Sequence, residues 1–127
     1  MNLLLDTHTF IWFIEGDKNL SKRAKEKILD PSNIKFVSIA SIWEIAVKIS
    51  LGKLKINRPF EAILTQIEDS GFEILPIAFE HTLVVSRLDF FHRDPFDRII
   101  IAQALAENMT IISRDKNFEN YGVNILW

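Results

Sequence analysis

The feature that most constrains this chain is its start, where Asn2 leads into three consecutive leucines, Leu3-Leu4-Leu5, that stop abruptly at Asp6. Successive side chains of a strand point to opposite faces, so a run with no polar alternation has to be buried on both. A strand of that kind belongs inside a parallel sheet with helices above and below it. It is far too short to cross a membrane, and so is every other apolar stretch, Phe10-Ile11-Trp12-Phe13-Ile14 being typical of the longest.

The remaining sequence repeats the theme. A helix is expected over 7–15, stopped by Gly16-Asp17, and a second over 21–30, with Lys22, Arg23, Lys25 and Lys27 on a solvated face and Pro31 beyond its end. Residues 34–38 read as the next strand and 41–49 as a helix closed by Leu51-Gly52. Pro59 is placed to open a further helix at its first position, running to Ser70-Gly71. A strand interrupted by Pro76 is expected over 72–77, a helix over 79–88, and a stronger one from Asp94-Pro95 to about Asn108. A short buried strand over 109–113, a turn or short helix over 115–121 and a last strand over 123–126 complete the chain. This order predicts an α/β fold: one domain spanning 1–127, a central parallel sheet and helices on both faces joined by right-handed crossovers.

Composition removes several function classes. There is no cysteine, hence no disulfide framework, thiolate metal site or cysteine nucleophile, and a reducing, cytoplasmic setting with no membrane partner is the expectation. Fifteen Lys and Arg against 17 Asp and Glu leave a net charge of −2, so the chain does not coat nucleic acid through bulk positive charge. The four glycines, at 16, 52, 71 and 122, are too scattered for a phosphate loop or dinucleotide fingerprint. His8, His81 and His92 show no HExxH spacing and read as surface or supporting residues, and no GxSxG elbow is present.

Four acids remain: Asp6, Glu44, Asp97 and Asp115. Asp6 ends the first strand and Asp115 lies just past the strand over 109–113, while Glu44 and Asp97 fall in the first turns of their expected helices. All four should therefore meet at the carboxyl edge of the sheet, where open parallel sheets bind ligands. Such carboxylates repel one another, and a hard divalent cation with oxygen ligands is the usual remedy, Mg²⁺ or Mn²⁺ being the natural candidates. Each acid also has a plainer reading as a helix cap. Ser41-Ile42-Trp43-Glu44 has the form of a capping box, Asp94 and Asp97 form an N-cap and third-position pair, and Asp6 and Asp115 can each cap the next segment of chain.

In order and setting these acids resemble those of the PIN-domain ribonucleases, and among them the VapC-type toxins of type II toxin–antitoxin pairs. The matching residues are Leu3-Leu4-Leu5-Asp6-Thr7-His8, then Ser38 to Ile45 with Lys48 and Gly52-Lys53-Leu54, Asp94-Pro95-Phe96-Asp97-Arg98 running into Ile101-Ala102-Gln103-Ala104-Leu105, and Ser113-Arg114-Asp115 followed by Phe118, Tyr121 and Leu126-Trp127. No single motif is specific, but the ordered set is, and it spans nearly the whole chain. The resemblance implies a Mg²⁺- or Mn²⁺-dependent endoribonuclease that cuts RNA phosphodiesters with metal-activated water, leaving a 5′-phosphate and a 3′-hydroxyl. Asp6, Glu44 and Asp97 correspond to the three central acids and Asp115 to the more variable fourth, with Thr7, Asp94 and Ser113 in supporting places. It also implies a homodimer and an antitoxin whose tail occupies the acidic crevice. The alternative is a PIN-like module that binds RNA or protein without cutting.

An acidic crevice repels RNA, and Lys48, Arg98, Arg114 and Lys116 are the cations placed to offset that by touching phosphates. The plainer reading of Lys48 is an i,i+4 ion pair with Glu44 worth about 0.3 to 0.5 kcal/mol. Finally, the five large apolar residues Phe10 to Ile14 make their helix apolar on more than one side, and a partly exposed face covered by a second copy or an antitoxin is expected there.

Overall fold

Leu3, Leu4 and Leu5 are fully buried, as the unbroken apolar run demands. They lie in β1 (Asn2–Leu5), the middle strand of five in the computed structural model, which describes residues 1–127. The strand order is β3-β2-β1-β4-β5, with β2 (Ile34–Ser38), β3 (Glu73–Leu75), β4 (Thr110–Ile112) and β5 (Asn124–Leu126), and every pairing is parallel. Leu5 stands opposite both Val37 and Ile112. Three central strands thus end level, which puts Asp6, Ser38 and Ser113 side by side at the carboxyl edge.

The alternating leucines divide the core. Leu3 and Leu5 join Phe10, Ile28, Ile45 and Ile67 on one face, beneath α1 (Thr7–Glu15), α2 (Lys22–Leu29), α3 (Ile39–Ser50) and α4 (Ala62–Asp69). Leu4 joins Ile100, Ile101, Ala104 and Phe118 on the other, beneath α6 (Pro95–Glu107) and the 3-10 turn Lys116–Tyr121, with α5 (Phe79–Val85) packed on α6. The expected α/β sandwich is the one observed. No helix is long and apolar enough to cross a membrane.

Five local expectations are corrected. The helix expected from Ser41 starts at Ile39, directly after β2, because Ser38 is its N-cap and accepts from the Ala40 N–H. Ser41-Ile42-Trp43-Glu44 is therefore not a capping box, and Glu44 lies in the second turn. Pro59 does not open a helix; the carbonyls of Pro59 and Phe60 accept from Ala62 and Ile63 in a turn that leads into α4. Pro76 cuts the strand expected over 72–77 to three residues, Glu73–Leu75, and the helix expected to reach residue 88 ends at Val85. His81, read as a surface or supporting residue, is buried, accepting from the Ala78 N–H and meeting Glu107 through Nε2 at 2.9 Å.

The partly exposed apolar face expected on α1 is present, since Ile11, Trp12 and Phe13 are half-buried. Phe10 and Ile14 are buried, Ile11 and Phe13 pack on the core, and Trp12 meets Trp127 edge-on. The helix is thus enclosed by its own chain on one side and open at Trp12, which lines the cavity beside Asp6. A further apolar surface is an open groove between α3 and α4 floored by Ile42 and Ile63 and rimmed by Ile39, Leu64 and Ile74.

Candidate active site

Asp6 leaves the sheet by donating its N–H to Ile112 O and immediately caps α1, its Oδ1 accepting from the Thr9 N–H at 2.9 Å. Its other oxygen accepts from the Ser113 hydroxyl at 2.5 Å. Ser113 Oγ in turn accepts from the Asp115 N–H at 3.0 Å, so one buried hydroxyl ties Asp6 to the segment carrying the fourth acid.

Glu44 is held as closely. The Thr7 hydroxyl, with one proton to give, sits 2.6 Å from Glu44 Oε1 and 3.0 Å from Ser41 Oγ. Lys48 Nζ donates to Glu44 Oε2 at 2.5 Å, one helical turn along α3. That hydrogen bond raises the Lys48 pKa above its ordinary value, and the charges of Asp94 and Asp97 add to the effect.

Asp97 stands differently. It occupies the first turn of α6, where Asp94 is the N-cap and Pro95 the first residue; Asp94 Oδ1 accepts from the N–H groups of Phe96 and Asp97 at 2.8 and 3.0 Å. The Asp97 carboxylate itself accepts no hydrogen bond. Burial, followed by the charges of Asp94, Glu44 and Asp6, pushes its pKa up to about 7, with His92 opposing. Contact between α3 and α6 is what brings Glu44 and Asp97 into one field.

Asp115 lies on the other side of Asp6. Its Oδ1 caps the 3-10 turn by accepting from the Asn117 N–H, and its Oδ2 is 3.2 Å from His92 Nε2. Asp6 and Asp115 line an open cavity of about 210 Å³ with His8, Trp12 and Arg114, whose guanidinium lies 4.6 Å from the Trp12 ring centre. Lys116 is exposed on the neighbouring surface with Arg114.

The cap reading and the cluster reading thus coexist: Asp6, Asp94 and Asp115 each cap a segment and stand at the carboxyl edge. The donor set is all carboxylate oxygen, which suits a hard divalent cation, and the rise at Asp97 marks a field that a cation would relieve. No three of these side chains converge on one point, and Asp6 and Glu44 are each hydrogen-bonded to internal donors.

Arg98 is a correction. It is buried, and its guanidinium donates to the carbonyls of Val85, Leu88, Asp89 and His92, so it faces the loop before α6 and has no free edge for a phosphate. Sequence reasoning misses Ser41 as a neighbour of the site and leaves His92 as a surface or supporting residue without tying it to Asp115. His92 lies two residues before Asp94 in His92-Arg93-Asp94-Pro95, and that closeness is the one signal for it. Ser41 is hidden by its resemblance to a helix cap.

A sequence model of the PIN domain matches residues 3–124 of the chain. No curated protein matches it. Among solved structures, VapBC-1 from nontypeable Haemophilus influenzae superposes with a TM-score of 0.74 at 20% identity, over 99% of this chain and 97% of that one. VapBC-5 from Mycobacterium tuberculosis, a member of the VapBC family of toxin-antitoxin systems, gives 0.64 at 20% identity over 98% and 97%. The PIN domain endonuclease Utp24 gives 0.55 at 15% identity over 98% and 83%. At these identities the likeness is one of fold.

Proposed function

This chain belongs to the PIN domain family, and from that premise we propose that it is a divalent-cation-dependent endoribonuclease, the toxin of a toxin–antitoxin pair, with residues 1–127 acting as one unit. The observation that carries the reading is the carboxylate of Asp97, pushed up to about 7 in the combined field of Asp94, Glu44 and Asp6 at the sheet edge where the family's chemistry is expected. The similarity to an endonuclease and to toxin-antitoxin proteins supports the two halves of the name.

Asp6, Glu44 and Asp97 are the residues that would hold Mg²⁺ or Mn²⁺, with Asp115 across the cavity from them. The ion would supply charge to a phosphodiester and lower the pKa of the attacking water. The protein's own part is positional. Ser113 fixes Asp6, Thr7 and Lys48 fix Glu44, and Asp94 fixes the start of α6. Arg114, spread over Trp12 beside the acids, and Lys116 next to it are placed to meet phosphates, while Lys48 serves Glu44 first. The cytoplasm is the setting such a substrate requires. A second copy and an antitoxin are the protein partners, and the groove rimmed by Ile39, Leu64 and Ile74 offers apolar surface for one of them.

Incubating partner-free protein with total RNA, with Mg²⁺ or EDTA, and sequencing new 5′-phosphate ends tests the proposal. Discrete ends that require both the cation and Asp97 support it. The non-catalytic alternative draws on the closed hydrogen bonds of Asp6 and Glu44, and it prevails if folded protein yields no new ends.

A further inference from the structure

The segment 86–94 between α5 and α6 carries a cluster that the acidic crevice does not account for. Phe90 is 80% exposed and Phe91 53% exposed, and Arg87 and Arg93 are exposed on either side of them. Large aromatic rings left in water usually sit on loose loops or meet a partner. This loop is firmly held. The buried Arg98 gathers it by four hydrogen bonds to the carbonyls of Val85, Leu88, Asp89 and His92, at 2.8 to 3.4 Å. The same guanidinium lies 4.2 Å from the Phe90 ring centre and supports one face of it. Phe91 packs edge-on against Tyr121 at 5.1 Å, and the Tyr121 hydroxyl accepts from the His92 N–H at 2.6 Å. Both rings are therefore displayed by the fold itself, with Arg98 as the positioning residue.

The display is continuous with the crevice. His92, next to Phe91, reaches Asp115 Oδ2 at 3.2 Å, and the segment ends at Asp94, the cap of the helix that carries Asp97. Planar rings interleaved with free arginines, beside acids that on their own repel a polyanion, match the chemistry of unpaired nucleotides: bases stack on the rings and phosphates meet the guanidiniums. A duplex offers no such base faces along its length.

We propose that Phe90 and Phe91, held by Arg98 and flanked by Arg87 and Arg93, form a stacking platform for unpaired bases of an RNA strand entering the crevice. The proposal rests on the ribonuclease reading above, and it names the side chains that would receive the bases beside the crevice.

The test uses full-length Asp97→Asn protein, so that RNA is bound without being cut. Its binding is measured by fluorescence anisotropy with a short unstructured oligoribonucleotide and with an abasic oligomer of equal length and charge. The parent should hold the base-bearing oligomer on the order of tenfold more tightly than the abasic one. Adding Phe90→Leu and Phe91→Leu keeps the exposed apolar bulk but removes the π faces. It should abolish that difference while leaving abasic binding and the melting temperature unchanged. A double variant that still discriminates overturns the platform, as does a parent that never discriminates. A double variant that dissociates from dimer to monomer also overturns it, because the rings would then serve self-contact. The wild-type digest of total RNA separates the two readings: cleavage without discrimination removes the platform alone, and absence of cleavage removes the ribonuclease.

Discussion

The two sides of the acidic crevice are built on opposite principles. Asp6 and Glu44 are buried, and each carboxylate oxygen already has a donor: the Thr9 N–H and Ser113 hydroxyl for one, Thr7 and Lys48 for the other. Asp97 is less buried, accepts no hydrogen bond, and feels the like charges of Asp94, Glu44 and Asp6 more strongly than the opposing His92 and Lys48. One side is compensated by the fold itself; the other has no donor of its own. Carboxylates of one proposed cation site thus differ in how far the fold already partners them, even where sequence gives them equal weight.

The sharpest way to break that contrast is to substitute each side and read cleavage against folding. Asp97→Asn should lower RNA cleavage by at least about a hundredfold, while its melting temperature in EDTA at pH 8 stays level or rises. Asp6→Ala should lower cleavage as well and in addition cost roughly 2 to 4 kcal/mol of stability in urea unfolding, because it removes the cap of α1 and leaves the buried Ser113 hydroxyl without an acceptor. If both substitutions destabilise alike, the contrast is wrong.

A smaller effect comes with pH. The Asp97 carboxyl has an ordinary value of 3.8 and stands at about 7 in the folded protein, so between those values the folded state keeps a proton that the unfolded state has released. Stability in EDTA should thus fall as pH rises from about 4 to 7, by about 2 kcal/mol once solvent screening of this partly exposed group is allowed for. Asp97→Asn should lack that slope. Mg²⁺ in hundredfold excess over its dissociation constant should add about 2.7 kcal/mol above pH 7 and progressively less below it, where the proton competes. Smallest of all is Lys48→Gln. Its loss of one partly exposed pair should cost under about 1 kcal/mol, yet shift the titration of Asp97 upward by removing a cation that shares its field.

Most of the fold is legible because it is written in local patterns that tertiary packing then reinforces. Leu3-Leu4-Leu5 can be satisfied only by a sheet covered on both faces, and Asp94-Pro95 is both a cap and a first helical residue, so chain pattern and fold agree. The misreadings fall where two local signals compete. Ser38 and Ser41 both have capping side chains, and only the end of β2 decides between them. Along Phe10 to Ile14 the apolar run itself is plain, but the pairing of Trp12 with Trp127 across the whole chain length is invisible locally. Of the site, the acids are legible from their places at strand and helix ends. The direction of the Arg98 side chain is not, since four carbonyls of a preceding loop leave no mark on sequence spacing.

The most direct measurement is the titration of the Asp97 side-chain carboxyl by ¹³C NMR, with and without Mg²⁺. A midpoint near 7 in EDTA, moving well below that when Mg²⁺ is added, is the expected result. A midpoint in the ordinary range near 4 that Mg²⁺ does not move would contradict the claim that this crevice holds an uncompensated carboxylate waiting for a cation.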